Sequence, residues 1–205
     1  MADIGKLFVF EGPDGVGKTT LAISFAEHLV SQRQECEFMS FPGRDPGTLG
    51  QHVYQLHHDV RRFGIESIRP LSLQMLHIAA HIDAVEARIL PLLRSGRHVV
   101  LDRFWWSTWV YGTVAKANRE ALTAMINAER ACWGQTQPSV AFLITRTSSL
   151  REVEVEGRWR ELCEAYGELA KAERSQYPVH IVRNDSAVGE ALYEIIGITE
   201  MTKEL

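Results

Sequence analysis

The chain has 205 residues, of which 45% are hydrophobic and 23% charged, values typical of one globular domain with a substantial core. A formal net charge of -4 disfavours general nucleic-acid binding, because no excess of Lys and Arg meets a phosphate backbone. No apolar run approaches the ~20 residues of a membrane span, the first residues are too charged for a signal peptide, and the cysteines lack metal-binding spacing. We therefore expect a cytoplasmic protein without a membrane or nucleic-acid partner.

Short β-type runs alternate with longer helical patterns along the chain. Strands are predicted at 6–11, 36–41, 98–104, 139–145 and 178–183, and helices at 18–32, 51–62, 70–94, 118–133, 158–172 and 187–196. Strands separated by helices of this length require crossover connections, which join parallel strands. The pattern predicts an α/β fold with three layers, α/β/α, around a five-stranded parallel sheet.

A glycine-rich turn joins the first predicted strand to the first predicted helix. Residues Gly12 to Thr19 follow the P-loop pattern Gly-x-x-x-x-Gly-Lys-Thr, in which backbone N–H groups and a helix N-terminus face a phosphate. Lys18 can reach the β- and γ-phosphates of ATP, and the Thr19 hydroxyl can bind Mg²⁺. The expected phosphate-binding residues are Gly12, Asp14, Gly15, Val16, Gly17, Lys18, Thr19 and Thr20. The turn thus predicts a P-loop NTPase fold that binds ATP.

Four segments occur in the order and approximate spacing found in thymidylate kinases. They are EGPDGVGKTT, FPGRDPGTLG, LDRFWWSTWVYG and ACWGQTQPSVAFLI. Over most of its length the chain resembles this family of nucleoside-monophosphate kinases. The resemblance implies transfer of the γ-phosphoryl group of ATP to the 5′-phosphate of dTMP or a modified pyrimidine deoxynucleotide. It also implies Mg²⁺ as cofactor, a homodimer, and a single kinase domain over residues 1–205.

Cations are needed where the two substrates meet, because a monophosphate brings about two negative charges toward a triphosphate. Arg44 matches a family arginine after the second strand that would hold the acceptor phosphate as a bidentate fork. Arg103 matches the arginine of the family's D-R-Y motif and is expected to reach the same phosphate. Asp102 lies at the carboxyl end of its strand, where α/β sheets place ligands, and could orient Mg²⁺. With Lys18, these are the predicted catalytic residues.

The resemblance also implies contacts to the rest of the acceptor. Asp14 matches a position that contacts the sugar 3′-hydroxyl, and Asp45 stands where the family has an acidic residue. Phe41 begins the matching F-P-x-R motif. Ser107 and Tyr111 match a serine and an aromatic on the following helix, and we expect Tyr111 to stack on the base.

The chain departs from the family at the expected base site. His77 and His81 occupy the positions of a stacking aromatic and of an arginine, and neutral histidine carries less positive charge than arginine at pH 7. Four residues apart on a helix, both histidines share one face, which fits either a pocket wall or a plain polar surface. The segment near Trp105, Trp106 and Trp109 adds aromatic area. Helical spacing puts these rings on partly different faces, so we expect some to be core or dimer contacts and one to line the pocket.

The lid predicted at 146–158 is shorter than the arginine-rich lid that closes over ATP in the family. Its candidate ATP contacts are Arg146, Arg151, Arg158 and Arg160. Thr145 stands just before the lid, where the family usually has Asp.

Three functions remain open at this point. The first is a kinase for dTMP or a modified pyrimidine nucleotide. The second is a thymidylate-kinase-like enzyme that phosphorylates a different small acceptor, because the histidines alter the pocket. The third is a nucleotide-binding protein without kinase turnover, because the lid is short. The sequence lacks the N-K-x-D motif that specifies guanine in GTPases, which disfavours that class.

Overall fold

The computed structural model describes residues 4–151, 156–186 and 188–201. Its sheet contains the strands β1 (Leu7–Glu11), β2 (Cys36–Ser40), β3 (His98–Asp102), β4 (Val140–Thr145) and β5 (Val179–Arg183). They pair in the order β2-β3-β1-β4-β5, and every pairing is parallel. The five strands therefore lie where the sequence predicts them, apart from differences of one or two residues at their ends.

The described part of the chain contains eight α-helices, seven between the strands and one after β5. They are α1 (Lys18–Ser31), α2 (Leu49–His58), α3 (Pro70–Ala84), α4 (Leu90–Arg94), α5 (Trp105–Val114), α6 (Arg119–Trp133), α7 (Glu156–Glu173) and α8 (Val188–Met201). A 3₁₀ turn at Val60–Phe63 follows α2. None of the described helices combines the length and apolar character needed to cross a bilayer.

The predicted helix over 70–94 is interrupted by one wide turn. A π-helical turn at Val85–Ile89 joins α3 to α4 and ends two residues before Pro91. In a regular helix the ring of Pro91 would clash with the carbonyl of Ala87, and its nitrogen could not donate to that carbonyl. The wider turn accommodates the proline without ending the helical run.

Alternating strand residues build two apolar layers. In β1, Phe8 and Phe10 face the layer under α1 and α8, whereas Leu7 and Val9 face the layer under α3 to α7. Both layers are closely packed, and the side chain of Trp106 is fully buried in the second. The sheet is thus covered on both faces, as the sequence predicts.

The sheet order brings the predicted site residues to one edge. Because the chain crosses over between β1 and β2, β3 lies between these two strands, and Phe10 pairs with Asp102. The P-loop after β1, the turn after β2 and the residues after β3 therefore meet at the carboxyl edge of the sheet, where α/β proteins bind ligands.

Candidate functional site

The P-loop backbone requires glycine at its two ends. Gly12 has a φ of +138°, and a Cβ there would lie 2.3 Å from the carbonyl oxygen of Ile144. Gly17 has a φ of +85° directly before α1. A side chain at either position would be strained, so the glycine spacing recognised in the sequence follows from the path of the loop.

Lys18 is folded back over the P-loop. Its Nζ donates a hydrogen bond to the carbonyl oxygen of Pro13 at 2.8 Å, and the side chain is buried. Burial, with the nearby Arg103 guanidinium, lowers the pKa of Lys18 to about 8, although carboxylates oppose the shift. The ammonium is therefore still mostly protonated at pH 7 and lies within the loop, as a phosphate-binding lysine requires.

A hydroxyl and a carboxylate meet between α1 and β3. The Thr19 Oγ1 donates to Asp102 Oδ2 at 2.5 Å. The other carboxylate oxygen of Asp102 is buried and accepts no hydrogen bond from the described residues. Mg²⁺ prefers oxygen ligands and usually binds one or two protein groups together with substrate phosphates and water. Thr19 and Asp102 thus fit a Mg²⁺ site, whereas the described residues contain no cluster of three or more His, Cys, Asp or Glu suited to a metal.

Asp14, Arg103 and Tyr111 form one polar network at the mouth of the loop. Arg103 is ion-paired with Asp14, and the Tyr111 hydroxyl donates to Asp14 at 2.7 Å. Burial raises the pKa of Asp14, but Arg103 and Lys18 outweigh it and hold the pKa at about 2. Arg103 has a φ of +76°, a left-handed conformation that costs free energy in a non-glycine residue. The surroundings hold the Arg103 backbone in a strained conformation and its guanidinium beside the loop.

The buried carboxylate of Glu11 supports that strained segment. It accepts hydrogen bonds from the backbone N–H groups of Phe104 at 2.7 Å and Ser107 at 2.9 Å, and from the Ser107 hydroxyl at 2.8 Å. Burial raises the pKa of Glu11, while the Arg103 guanidinium opposes the rise. Sequence reasoning did not select Glu11, although a carboxylate ending the apolar run of β1 was the available signal.

One cavity of about 1130 Å³ opens beside the P-loop. All nine predicted acceptor residues line it: Asp14, Phe41, Arg44, Asp45, His77, His81, Arg103, Ser107 and Tyr111. Thr19 and Asp102 line it as well, so the predicted metal residues and acceptor residues share one space. Gln74 and Thr108 are buried polar residues of the same wall that the sequence did not single out.

In the turn after β2, the side chains of Arg44 and Asp45 both contact other residues of the protein. Arg44 is exposed, and its guanidinium lies 4.3 Å from the centre of the Tyr54 ring. Asp45 is ion-paired with Arg88, which also donates to Glu37 at 2.9 Å. The Asp45 carboxylate therefore holds the turn against the helical run that contains Arg88. Sequence reasoning missed Arg88, because nothing local distinguishes it from other surface arginines.

The two histidines of α3 belong to the cavity wall rather than to a plain polar surface. His81 is buried, its ring stacks on Phe41 at 4.1 Å, and its Nδ1 lies 3.1 Å from Glu129 Oε1. His77 is half-buried, and its Nε2 lies 3.1 Å from Nδ1 of His57. Glu129 and His57 come from α6 and α2, so no sequence spacing could have revealed either pair.

The short lid lies directly on the P-loop. The Leu150 N–H donates to the Gly15 carbonyl at 2.8 Å, and the Trp159 indole N–H donates to the Asp14 carbonyl at 3.0 Å. Arg151 lines the cavity. Residues 152–155 of the predicted lid lie outside the described residues.

The other lid arginines have different surroundings. Arg158 lines the cavity, as Arg151 does. Arg146 donates to the backbone carbonyls of Ser148 and Asn184, and Arg160 is exposed on α7. The structure therefore distinguishes two lid arginines that face the cavity from two that do not.

The tryptophans of α5 agree with the prediction for the core but not for the pocket. Trp105 and Trp106 belong to the apolar core, and the Trp106 indole donates to the Tyr177 hydroxyl at 2.9 Å. Trp109 is half-buried, with the Arg119 guanidinium 5.9 Å from its ring centre. None of these three described side chains lines the cavity, so the expectation of a pocket tryptophan is wrong. Their rings pack into or beside the core, where the burial of aromatic area is most favourable.

The five-stranded parallel sheet and the glycine loop define a protein of the P-loop class. A family model described as thymidylate kinase matches residues 10–165. The chain belongs to the thymidylate kinase family, which confirms the resemblance noted in the sequence.

Individual relatives agree with this assignment. The thymidylate kinase of Dinoroseobacter shibae is 34% identical over 148 residues, which cover 70% of this chain and 66% of that protein. The thymidylate kinase of Thermoanaerobacter sp. is 35% identical over 113 residues, 55% of this chain and 52% of that protein. The chain thus spans between about half and two thirds of the length of these curated relatives. A crystal structure of thymidylate kinase from Ehrlichia chaffeensis matches with a TM-score of 0.75 and 20% identity, over 95% of this chain and 98% of that one. This match confirms the predicted fold.

Proposed function

We propose that this protein is an ATP-dependent kinase of pyrimidine deoxynucleoside monophosphates, with dTMP as the first candidate acceptor. The observation that carries the proposal is the cavity whose wall brings the P-loop residues Asp14 and Thr19 together with Arg44 and Arg103. Membership of the thymidylate kinase family supports the same activity. The product is the corresponding nucleoside diphosphate, dTDP from dTMP.

Phosphoryl transfer requires positioning and charge neutralisation more than covalent chemistry. An oxygen of the acceptor phosphate attacks the γ-phosphorus of ATP, the bond to the β–γ bridging oxygen breaks, and ADP leaves. Lys18 and the loop N–H groups hold the triphosphate. Arg103 and Arg44 hold the acceptor phosphate and reduce the repulsion between the two substrates.

Mg²⁺, when bound, supplies positive charge to the β- and γ-phosphate oxygens, and Thr19 and Asp102 are the residues that would hold it. The remaining charge is supplied by the lid. Arg151 and Arg158 line the cavity, so we assign to them the contacts with ATP that exclude water during transfer.

The proposal includes a homodimer in the cytoplasm. Family resemblance supports the dimer, and the absence of metal-binding or paired spacing among the three cysteines supports a reducing compartment. Sedimentation equilibrium measures the first point directly, and a monomer at micromolar concentration would refute it.

An ADP-release assay with Mg²⁺, ATP and a panel of nucleoside monophosphates tests the activity. We expect turnover with dTMP and at least a thousandfold loss in Lys18→Ala, because that variant removes a phosphate-binding charge but leaves the loop backbone intact. Turnover with only a non-nucleotide acceptor would replace the substrate assignment. ATP binding without turnover for any acceptor would refute the kinase proposal.

A further inference from the structure

Two histidines from different helices meet on the wall of the cavity. His57 at the end of α2 and His77 in α3 both line it, and their facing ring nitrogens lie 3.1 Å apart. The rings are nearly perpendicular, at 84°, with centroids 5.0 Å apart. A nitrogen–nitrogen distance of this length is a hydrogen bond, so one imidazole donates and the other accepts.

The pair has two possible arrangements of its protons. When Nδ1 of His57 donates, Nε2 of His77 accepts, so the outer nitrogen of His77 carries a proton and that of His57 does not. When Nε2 of His77 donates, both outer nitrogens reverse their roles. A neutral imidazole has one donor and one acceptor, so the internal hydrogen bond survives in either arrangement. Each outer nitrogen can therefore donate or accept without leaving its partner unsatisfied.

The pair is held in its neutral form. Desolvation, reinforced by the neighbouring His81 and His57, lowers the pKa of His77 to about 2. Desolvation also lowers the pKa of His57. A neutral pair suits an uncharged base better than a phosphate, which Arg103 and Arg44 are placed to hold.

The neighbouring His81 does not have this freedom. Its Nδ1 faces both carboxylate oxygens of Glu129, at 3.1 and 3.2 Å, and a carboxylate only accepts. The proton of His81 is therefore fixed on Nδ1. The cavity wall thus contains one histidine whose donor and acceptor nitrogens are fixed and one histidine pair whose outer nitrogens can exchange donor and acceptor roles.

We propose that His57 and His77 are specificity-determining residues that contact the acceptor base and accept pyrimidine edges of either hydrogen-bond polarity. Thymine presents an acceptor, O4, beside the donor N3–H, whereas cytosine presents the donor N4–H₂ beside the acceptor N3. A nitrogen that can only donate or only accept a hydrogen bond discriminates between these two edges. A nitrogen that can take either role does not. The inference rests on the proposed function, because it takes this cavity to be the acceptor site.

Equilibrium binding tests the proposal without requiring turnover. Isothermal titration calorimetry at pH 7.5 compares dTMP, dCMP and 2-deoxyribose 5-phosphate, which has the phosphate but no base. We expect the Kd values of dTMP and dCMP to agree within about tenfold, and both to lie at least about tenfold below that of the sugar phosphate.

The variants His77→Phe and His57→Phe keep a ring and remove the hydrogen bonds. Each should weaken binding of dTMP and dCMP by about 10- to 100-fold and leave the sugar phosphate within about twofold. His52→Phe is the matched control, because His52 is an exposed histidine of α2 that does not line the cavity. It should leave all three Kd values unchanged.

Three results would overturn the proposal. They are a preference of wild type for dTMP over dCMP of more than about tenfold, unchanged base binding in either variant, or an equal loss for the sugar phosphate, which would indicate a structural role. The proposed function fails separately. If the Kd values behave as expected but no monophosphate is turned over, the kinase assignment is refuted and the base-binding pair stands.

Discussion

Glu11 offers a sharp test of how the fold positions the site. Its carboxylate accepts hydrogen bonds from two buried backbone N–H groups, those of Phe104 and Ser107. In Glu11→Ala the Phe104 N–H loses its partner, whereas the Ser107 N–H keeps a hydrogen bond to the Phe104 carbonyl at 3.2 Å and the Ser107 hydroxyl keeps a contact with the Tyr166 hydroxyl at 2.9 Å. One unsatisfied buried donor costs about 1–3 kcal/mol and the lost second hydrogen bond of Ser107 about 0.5–1.5 kcal/mol, so the two together cost about 1.5–4.5 kcal/mol.

The cost of burying the carboxylate offsets part of that loss. Burial raises the pKa of Glu11, which means that its charged form is desolvated in the folded protein. We therefore expect Glu11→Ala to lower the free energy of unfolding by about 1–3 kcal/mol. Glu11→Gln keeps an acceptor oxygen and loses only the charge, so it should lose about 1–2 kcal/mol.

Urea unfolding followed by tryptophan fluorescence, with circular dichroism as a second probe, measures both values. With a slope of about 2 kcal/mol per M, the midpoint of Glu11→Ala should fall by about 0.5–1.5 M. The acceptor KM should rise in the same variant, because Arg103 precedes the unsupported segment. A change below about 0.5 kcal/mol in Glu11→Ala, or Glu11→Gln less stable than Glu11→Ala, would refute the reasoning.

Three further outcomes follow from the site geometry. In steady-state kinetics, Arg44→Ala should raise the acceptor KM by about 10- to 100-fold and leave the ATP KM within about twofold. Equal increases in KM for both substrates would argue against an acceptor contact. Thr19→Val should raise the Mg²⁺ concentration for half-maximal turnover by about tenfold, and an unaltered Mg²⁺ titration would remove Thr19 from the metal site. The pKa of Asp14 is depressed from 3.8 to about 2 because Arg103 and Lys18 outweigh burial, so its stabilisation is complete above pH 3.8 and is lost as pH falls through about 2. Because the Asp14 side chain is half exposed, we expect Asp14→Asn to lower the free energy of unfolding by about 1 kcal/mol at pH 6. The loss of stability on acidification should be smaller in this variant than in the wild type, and an identical loss in both proteins would contradict the assignment.

The local parts of the site could be predicted because they are contiguous in the chain. The P-loop depends on glycines at positions whose φ angles are positive, and these glycines are visible as letters. Asp102 could be placed beside the loop because it ends an apolar strand of a parallel sheet. The predicted ends of the strands were less accurate. The third strand was predicted to reach Phe104, but the chain leaves this strand at Arg103, which has a left-handed conformation.

The tryptophans show why the face of a helix is harder to predict. Helical spacing separates Trp105, Trp106 and Trp109 into different directions, but it does not say which direction leads to the core. That choice depends on how α5 packs against its neighbours. Packing directs the first two rings into the core and leaves none of the three in the cavity wall.

Residue order along single segments was sufficient to establish the P-loop class, the family and the edge of the sheet that carries the site. Contacts between helices were decided only by the tertiary structure: the proton-sharing pair of His57 and His77, the fixed polarity of His81 beside Glu129, and the attachment of Asp45 to Arg88. A sequence pattern shows which residues lie together on one helix or strand. Hydrogen bonds between imidazoles and carboxylates of separate helices depend on distances of a few ångströms, and these distances are set only by packing.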